Sequence, residues 1–414
     1  MASRNFRASF SGKDRLQVLL SFATLIPFVA VIFLGVGGHL PPIVATTTGL
    51  SIVAAAFLLA WATESMTLLV PQTFALAILA LIQVLPEYSL EVVLASQGAH
   101  NSTILHLATA TMTGANRLLI GAGWPIIFLL TYLASRRTGS PVNEIILDRR
   151  QSIEVFFLIV STAYSFLIVA KRSLDILDAV ILVSMFIAYL YLGYRAPAEK
   201  DANAALLHGP AQAVSSLRGP AKLLTIVAFL GFGGFVIFFG AEPFIKSIIA
   251  VSAVIGISAF FFAQWVAPVL TEFPEGVTVS YWASTVRFSP MAFGNLISSK
   301  VNQWTLLVAT IPIAYSLSLG SVSAIRLTDE QVLEILLTGA QSLYAVVTLL
   351  DLRFGSKDAV ILSVLFWIQF FLPPIRLEVS IAYLLLATFE FFRHREKLKV
   401  LSDFWSVVKT TQRR

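Results

Sequence analysis

Two glutamates stand in matching surroundings in the two halves of the sequence. Glu87 follows Pro86 inside one long apolar stretch, and Glu275 follows Pro274 inside another. A charged side chain near the centre of a bilayer costs about 2.5–3.5 kcal/mol on insertion scales, so it rarely stands there without a task. Proline removes a backbone donor and leaves a carbonyl group unpaired. A carboxylate beside such a carbonyl predicts an oxygen site for a hard cation such as Ca²⁺ or Na⁺.

Four more charged residues lie near these glutamates or inside other apolar stretches. Glu91 is one helical turn beyond Glu87 on the same face, so we expect it to line an ion pathway. Glu272 stands beside the second glutamate and is a candidate ligand or a partner of Lys300. The ammonium of Lys300 would occupy a cation's place and offset one carboxylate. Arg117 is interpreted as a structural partner of Glu91.

The composition requires a chain embedded in a lipid bilayer. The 414 residues are 57% hydrophobic and 13% charged, with a mean hydropathy of +0.82. A soluble domain of this size would need far more charge to cover its surface. Long apolar stretches recur along the whole sequence without the alternation of a β-barrel. The predicted fold is therefore an all-α integral membrane protein.

Other functional classes have little support in the sequence. The chain has no cysteine, which excludes disulfides and thiolate metal sites. No Ser/His/Asp set and no cluster of metal ligands occurs within the apolar stretches, so we expect neither an enzyme nor a bound cofactor. The net charge of +6 does not indicate a nucleic-acid partner, because no binding motif is present and the basic residues lie between apolar stretches. The sequence does not predict an oligomeric state.

The distribution of basic residues supports about twelve transmembrane spans. With the N-terminus inside, 22 Lys and Arg residues fall on the cytoplasmic side, five fall outside, and two fall within spans. Such an excess marks the cytoplasmic face, so both termini are predicted to be cytoplasmic, in a prokaryotic inner membrane by default. The spans are roughly 16–37, 43–66, 72–97, 104–134, 152–170, 175–194, 222–241, 253–285, 289–319, 331–350, 358–373 and 377–392.

The two halves of the chain repeat one another. The pentapeptide Asp178-Ala-Val-Ile-Leu recurs at Asp358, and Glu154 recurs as Glu334, both at an offset of 180. Each repeat contains five spans, and an odd number inserts the second repeat upside down, as in many secondary transporters. The predicted units are an N-terminal tail and extra span (1–42), the first repeat (43–195), a cytoplasmic linker (196–221), the second repeat (222–374), and an extra span with a basic tail (375–414).

At this point the sequence resembles the sodium/calcium exchanger superfamily of cation/calcium antiporters. In that family a Pro-Glu pair in each repeat precedes a stretch similar to Gly-Asn-x-x-Gly-Ser-Asn. The second copy here reads Gly294-Asn-Leu-Ile-Ser-Ser-Lys300, and the looser first copy reads Ala110-Thr-Met-Thr-Gly-Ala-Asn116. The resemblance implies that Glu87 and Glu275 coordinate Ca²⁺. Further oxygen ligands would come from Asn116, Asn295, Thr111, Ser299, Thr271 and Glu272.

Two departures from the family pattern affect the expected counter-ion. The Thr-Ser pair that helps to bind Na⁺ in the family is replaced by Gln83-Val84 in one copy and by Thr271-Glu272 in the other. Lys300 also stands where the family has a neutral polar residue. We therefore expect fewer Na⁺ sites, with H⁺ as a candidate counter-ion for Ca²⁺.

Two alternative functions stay open at the level of sequence. One is a monovalent cation/proton exchanger that has lost Ca²⁺ binding through Lys300. The other is a membrane scaffold or sensor that keeps the fold without transport. Near the C-terminus, the apolar spacing of Leu398, Leu401 and Trp405 among lysines predicts either a basic amphipathic helix on the inner leaflet or a solvated tail.

Overall fold

Helices make up most of the protein. The computed structural model describes residues 12–35, 40–137, 139–196, 209–217, 219–254, 256, 259–394 and 398–412. Predictions that fall on the two ends of the chain, on half of the linker 196–221 and on the end of the first predicted span lie outside the described residues.

The described part of the first half consists of helices joined by short loops. The helices are α1 (Gly12–Ala23), α2 (Leu25–Ile32), α3 (Pro41–Met66), α4 (Gln72–Gln83), α5 (Leu85–Gly98), α6 (Ser102–Leu118), α7 (Trp124–Arg137), α8 (Ser152–Lys171) and α9 (Ile176–Arg195). Two short strands, β1 (Glu144–Ile146) and β2 (Ser173–Leu174), flank α8. A π-helical segment, Leu119–Gly123, joins α6 to α7 without a break in the helical chain.

The described part of the second half has a similar order. After the short helix α10 (Gly209–Ser216), the helices are α11 (Pro220–Val254), α12 (Ala259–Phe261), α13 (Ala267–Thr271), α14 (Phe273–Ala283), α15 (Ser289–Asn302), α16 (Val308–Leu319), α17 (Asp329–Thr348), α18 (Ser356–Phe371), α19 (Arg376–His394) and α20 (Lys399–Gln412). The strands are β3 (Ile325–Arg326) and β4 (Arg353–Gly355), on either side of α17. Further π-helical segments are Phe262–Val266 and Gln303–Leu307.

The prediction of an integral membrane protein is supported by the lengths and hydropathy of the helices. Six helices in the described residues are long and apolar enough to cross a membrane, and the bent pair α4 and α5 would make a seventh. Other predicted spans are short, such as α18, or interrupted, such as α13 and α14. The arrangement of twelve spans in inverted repeats therefore stays a prediction.

Two short β-ladders, which the sequence did not predict, accompany the predicted helical fold. β1 pairs with β4 in antiparallel fashion, with Ile145 opposite Phe354, and β2 pairs with β3, with Ser173 opposite Arg326. Segments of two or three residues are too short to give a recognisable alternating pattern. Each ladder joins one strand from the first half to one strand from the second half.

The repeated aspartates fix the starts of two helices. Asp178 accepts a hydrogen bond from the backbone N–H of Asp175 at 2.7 Å, and Asp358 accepts one from the N–H of Gly355 at 3.0 Å. These contacts satisfy donors that a helix N-terminus leaves unpaired, and the negative charge suits that end of the helix dipole.

The helices pack into a hydrophobic core shared by both halves. α3 lies along α11, and α17 lies between α8 and α19. α6 crosses the π-helical segment Phe262–Val266 closely at Gly114, where a Cβ atom would collide with the carbonyl of Gln264. A glycine is therefore required at this crossing, which brings the middle of α6 next to the helices of the second half.

The structure near the C-terminus differs from both expectations, an amphipathic helix with its apolar face on the inner leaflet and a solvated tail. α20 does form, but Val400, Phe404 and Val407 on its apolar face are buried against the protein. The ring of Phe404 stacks on that of Phe156 in α8 with centroids 3.8 Å apart, and Asp403 pairs with Arg149 at 3.0 Å. The apolar face thus finds a protein partner, which the sequence pattern could not distinguish from lipid.

Candidate cation-binding site

Two breaks in the helices place the predicted glutamates. Val84 separates α4 from α5, which bend by 42°, and Glu87 lies in the first turn of α5. Glu272 separates α13 from α14, and Glu275 lies in the first turn of α14. Glu87 is 1% exposed and Glu275 is 2% exposed. The first turn of a helix carries unpaired N–H groups, so each carboxylate stands at an electrostatically favourable helix end.

A glutamine of α15's π-helical extension connects the two breaks. The Nε2 group of Gln303 lies 3.2 and 3.3 Å from the two carboxylate oxygens of Glu87. The same Nε2 group donates to Oε1 of Glu272 at 3.0 Å. Glu87, Glu272 and Glu275 also lie close enough to repel one another electrostatically. The structure therefore brings the buried Glu87 and Glu275 and the half-buried Glu272 of both halves into one acidic cluster.

A second amide serves the other glutamate. The Nδ2 group of Asn295 in α15 donates to Oε1 of Glu275 at 3.2 Å and to Oε1 of Gln83 at 3.1 Å. Gln83, at the end of α4, in turn donates to the hydroxyl of Thr278 in α14 at 2.8 Å. These bonds link α4, α14 and α15 around the carboxylates.

Two buried amide oxygens in the cluster have no hydrogen-bond donor. They are Oδ1 of Asn295 and Oε1 of Gln303, and both residues are fully buried. A buried carbonyl oxygen without a donor is costly, so each is suited to a cation ligand. No group of three or more His, Asp or Glu side chains in the described residues has the geometry to hold a metal by itself. A hard cation here would therefore need these amide oxygens besides the carboxylates.

A cavity of about 590 Å³ reaches the cluster from one side. Glu272 and Glu275 line its inner part, and it continues along α14 to Ser280 and Tyr281. Leu296 of α15 forms part of its wall. Other residues that line the cavity are Phe57 of α3, Leu119, Gly123 and Ile126. The cavity gives the carboxylates access to space outside the packed core.

The sequence matches the model of a family of ion exchangers. The family model described as sodium/calcium exchanger protein matches residues 39–195 and 225–373. The chain belongs to this family. The resemblance inferred from the duplicated Pro-Glu pairs is therefore confirmed.

Solved structures of exchangers extend this result. The H⁺/Ca²⁺ exchanger CAX is 34% identical to this chain, with a TM-score of 0.84, and the match covers 97% of this chain and 100% of that one. The sodium/calcium exchanger from Methanococcus jannaschii is 15% identical, with a TM-score of 0.53 over 85% of this chain and 97% of that one, a likeness of fold alone. A search of curated proteins found no match. The family consists of cation/calcium antiporters, so the exchanger described here is a transporter rather than an enzyme by family.

In this exchanger Lys300 contacts Asn116 rather than a carboxylate. Its ammonium donates to the backbone oxygen of Asn116 at 2.7 Å and to the side-chain oxygen Oδ1 at 2.6 Å. It also lies 5.2 Å from the ring centroid of Trp304. Within the described residues the ammonium forms no direct ion pair with a carboxylate, but Glu272 and Glu87 lie near enough to attract it electrostatically, so its charge-compensating role stays a prediction. The predicted ligand Asn116 is instead occupied by a built-in cation.

Three further predicted ligands, Thr111, Thr271 and Ser299, are buried. The hydroxyl of Thr111 donates to the carbonyl of Leu107 at 2.8 Å, and that of Thr271 donates to the carbonyl of Pro268 at 3.2 Å. Both hydroxyls thus keep an oxygen lone pair for another partner. Ser299 is fully buried on α15, between the amides that serve the glutamates.

Glu91 is fully buried one turn beyond Glu87. Neither of its carboxylate oxygens has a hydrogen-bond partner, and Glu87 is its charged neighbour. The predicted pairing of Glu91 with Arg117 is wrong. Arg117 instead pairs with Glu334 of α17, donates to Oε1 of Gln369 at 3.1 Å, and is fully buried.

The reason lies in the position of Arg117 on α6. Its side chain points toward α17 and the π-helical segment Phe262–Val266. Its guanidinium lies 5.1 Å from the ring centroid of Trp265 in that segment. Glu334 also receives Arg376 of α19 at 2.6 Å and the amide of Gln264 at 2.9 Å. This group is a second buried network, separate from the hydrogen bonds of the acidic cluster.

Gln303 and Gln83 lie in the site but were not predicted from the sequence as site residues. Gln83 lies four residues before Glu87, and Gln303 three residues after Lys300, so helical spacing could have placed both on the faces of the predicted ligands. The family motif covers the Gly-Asn stretch and ends before the helical turn that carries Gln303.

Proposed function

We propose that this protein exchanges Ca²⁺ for H⁺ across a membrane by alternating access. Glu87 and Glu275 bind the cation, and the oxygens of Asn295 and Gln303 complete its shell. The observation that carries the proposal is the buried cluster itself. Two helix breaks from different halves of the chain place carboxylates beside amide oxygens that lack donors.

The proposed architecture is twelve spans, with repeats at 43–195 and 222–374 inserted in opposite directions. In support, each ladder pairs a strand of one half with a strand of the other, and a twofold relation between the halves would exchange the two ladders. The breaks at Val84 and Glu272 also recur at similar places in the two halves. A site between inverted repeats can be opened to either side by rocking one bundle against the other.

The cavity beside α14 is the proposed opening of the site in this conformation. It runs from Glu275 toward Tyr281, and the loop that follows carries Arg287. With both termini in the cytoplasm and the basic loops inside, that end of α14 faces the cytoplasm. A prokaryotic inner membrane is the proposed location. The linker 196–221 and the tail 375–414 lie on the same side, apart from the last span.

Protons rather than Na⁺ are the proposed counter-ion. A monovalent cation site in such a pocket would need neutral oxygens, and Lys300 already occupies those of Asn116 with a fixed ammonium. A fixed charge there disfavours a second cation by repulsion. Support also comes from the relative with 34% identity, which is an H⁺/Ca²⁺ exchanger.

Purified protein in liposomes tests the proposal. A pH gradient should drive ⁴⁵Ca²⁺ uptake without Na⁺, and Glu87→Gln or Glu275→Gln should reduce uptake about 100-fold or more, because Ca²⁺ affinity follows the number of charged ligands. Glu242→Gln is the matched control, since Glu242 is exposed and, among the described residues, its ion pair is with Lys246 on its own helix at 2.5 Å.

Each alternative gives a different result in the same assay. Strict dependence on Na⁺ would refute the proposed counter-ion. Proton flux with Na⁺ or K⁺ but without Ca²⁺ would favour the monovalent exchanger. No flux of any cation, and no effect of Ca²⁺ on thermal stability, would favour the scaffold.

A further inference from the structure

Glu154 is a buried acid that the cation site does not use. It lies in the first turn of α8, is fully buried, and neither carboxylate oxygen accepts a hydrogen bond of standard geometry. Its counterpart in the second half, Glu334, is held by Arg117 and Arg376. The same residue type at matching positions is thus ion-paired in one half and unpaired in the other. An unpaired carboxyl in a packed core is far less costly with a proton than without one.

The charged groups around α8 are engaged with partners other than Glu154. Asp148, just before the helix, pairs with Arg150 at 3.8 Å. Arg149 pairs with Asp403 of α20 at 3.0 Å. Within the described residues, Glu154 therefore has no base to hold it as a carboxylate.

Other elements packed against α8 carry bases, Lys399 and Lys409 in α20 and Arg195 in α9, but within the described residues none of them forms an ion pair with Glu154. On α15 the charged side chain is Lys300, whose ammonium is bonded to Asn116. The charged residues of α17 lie in its first two turns and are acidic. α9 contributes the phenol of Tyr189, which lies near Glu154, and α4 contributes the hydroxyl of Thr73.

One hydrogen bond joins Tyr189, a neighbour of Glu154, to the helix that carries Asn295. The hydroxyl of Tyr189 donates to Oγ of Ser298 in α15 at 2.9 Å, and both residues are fully buried. Ser298 is three residues from Asn295, which bonds to Glu275. Positions three apart are neighbours on a helix surface.

This route lies on the face of α15 away from the cavity. Gly294 and Ser298 are four residues apart and share a face, and the side chain of Gln151 packs directly on Gly294. Leu296, which lines the cavity, lies between them in sequence and on the opposite face. α15 therefore separates the side of Glu154 from the side of the cavity.

We propose that Glu154 is a proton-binding site on a route to Glu275 that is separate from the cation cavity. The O–H bond of the Glu154 acid breaks, and the hydroxyls of Tyr189 and Ser298 each take one proton and pass one on. Glu154 becomes a carboxylate, and the carboxylate of Glu275 becomes an acid once Ca²⁺ has left. The inference rests on the proposed H⁺/Ca²⁺ exchange.

Two partial reactions of the full-length protein in liposomes test this route. Glu154→Gln and Tyr189→Phe should slow Ca²⁺ uptake driven by a pH gradient by roughly 100-fold, the low end for a lost proton-transfer group, and change ⁴⁵Ca²⁺/Ca²⁺ exchange by no more than about twofold. Tyr189→Phe keeps the ring that packs against Phe157 and Phe186 and removes the hydroxyl alone. Glu242→Gln should alter neither rate.

Infrared spectroscopy adds a readout that does not depend on transport. The wild type should show the carbonyl band of a protonated acid that Glu154→Gln lacks and Tyr189→Phe keeps. Equal loss of both partial reactions, or no loss of either, would overturn the inference, as would an unchanged infrared band in Glu154→Gln. If that variant does not fold, Tyr189→Phe alone decides by the same two rates. Wild-type protein without uptake driven by pH would refute the proposed function itself.

Discussion

The two halves of this exchanger supply unequal shares of the cation site. In the second half, α15 and its π-helical extension carry the amides of Asn295 and Gln303, which serve the glutamates of both halves. In the first half, the corresponding stretch offers Asn116, whose oxygens are occupied by Lys300. A duplicated fold has thus kept one carboxylate in each half, while the proposed neutral ligands, Asn295 and Gln303, come from the second half.

The matching helices α8 and α17 also differ, in whether their buried glutamate is ion-paired. Glu334 in α17 is fixed by two arginines, whereas Glu154 in α8 has no ion partner among the described residues. Fixed ion pairs tie α6, α17 and α19 into one unit. A symmetric fold can in this way hold one region rigidly and leave a protonatable group in the other.

The largest expected effect comes from removing the ion pair in α17. Glu334→Gln leaves Arg117 without a carboxylate and Arg376 with only the distant Glu330 at 3.8 Å. Breaking a buried pair on one side lowers the free energy of unfolding by about 3–5 kcal/mol. Thermal and denaturant unfolding in detergent should show this loss. Glu154→Gln is the matched variant and should be much milder; equal losses would abolish the contrast between the two helices.

A smaller effect should separate the two asparagines. Asn295→Ala removes a hydrogen bond to a charged partner, worth about 1.5–3 kcal/mol, so the KM for Ca²⁺ should rise roughly tenfold to 100-fold. Asn116→Ala should raise this KM far less, because its side-chain oxygen binds Lys300. Uptake rates over a series of Ca²⁺ concentrations measure both values. A larger rise for Asn116→Ala would show that the first half supplies the neutral ligand.

The smallest effect concerns the choice of counter-ion. Lys300→Ser removes the ammonium and leaves the oxygens of Asn116 free, so Na⁺ should gain a few-fold stimulation of Ca²⁺ exchange that the wild type lacks. Lys300→Arg, which keeps the charge, is the control. Counter-flow of ²²Na⁺ measures the change. If Na⁺ has the same effect on Lys300→Ser and on the wild type, the ammonium does not exclude it.

Much of the fold could be predicted because the length of an apolar stretch and the position of a proline determine where a helix begins, breaks and ends. Helices α3 and α9 begin and end within two residues of the predicted limits, and the Pro-Glu pairs mark the breaks. Segments as short as β2 carry no periodic signal, so the ladders were missed. Whether α20 covers lipid or protein depends on a surface far away in sequence.

The candidate site was predictable in its charges and less so in its contacts. Glu87 and Glu275 could be identified because a buried carboxylate in an apolar helix is rare. The partner of Arg117 could not, because Glu334 is 217 residues away and α6 turns that side chain from Glu91. Gln303 lies beyond the motif, in a π-helical segment whose wider turn shifts residues around the helix.

The central claim is that Glu87 and Glu275 meet at one cation. The chain has no cysteine, so the double variant Glu87→Cys/Glu275→Cys carries a single pair of thiols. Titration of this variant with Cd²⁺ should show one tightly bound ion per chain that protects both thiols from alkylation, and each single variant should bind far more weakly. Two thiols that react independently, with no gain in Cd²⁺ affinity over the single variants, would contradict the account.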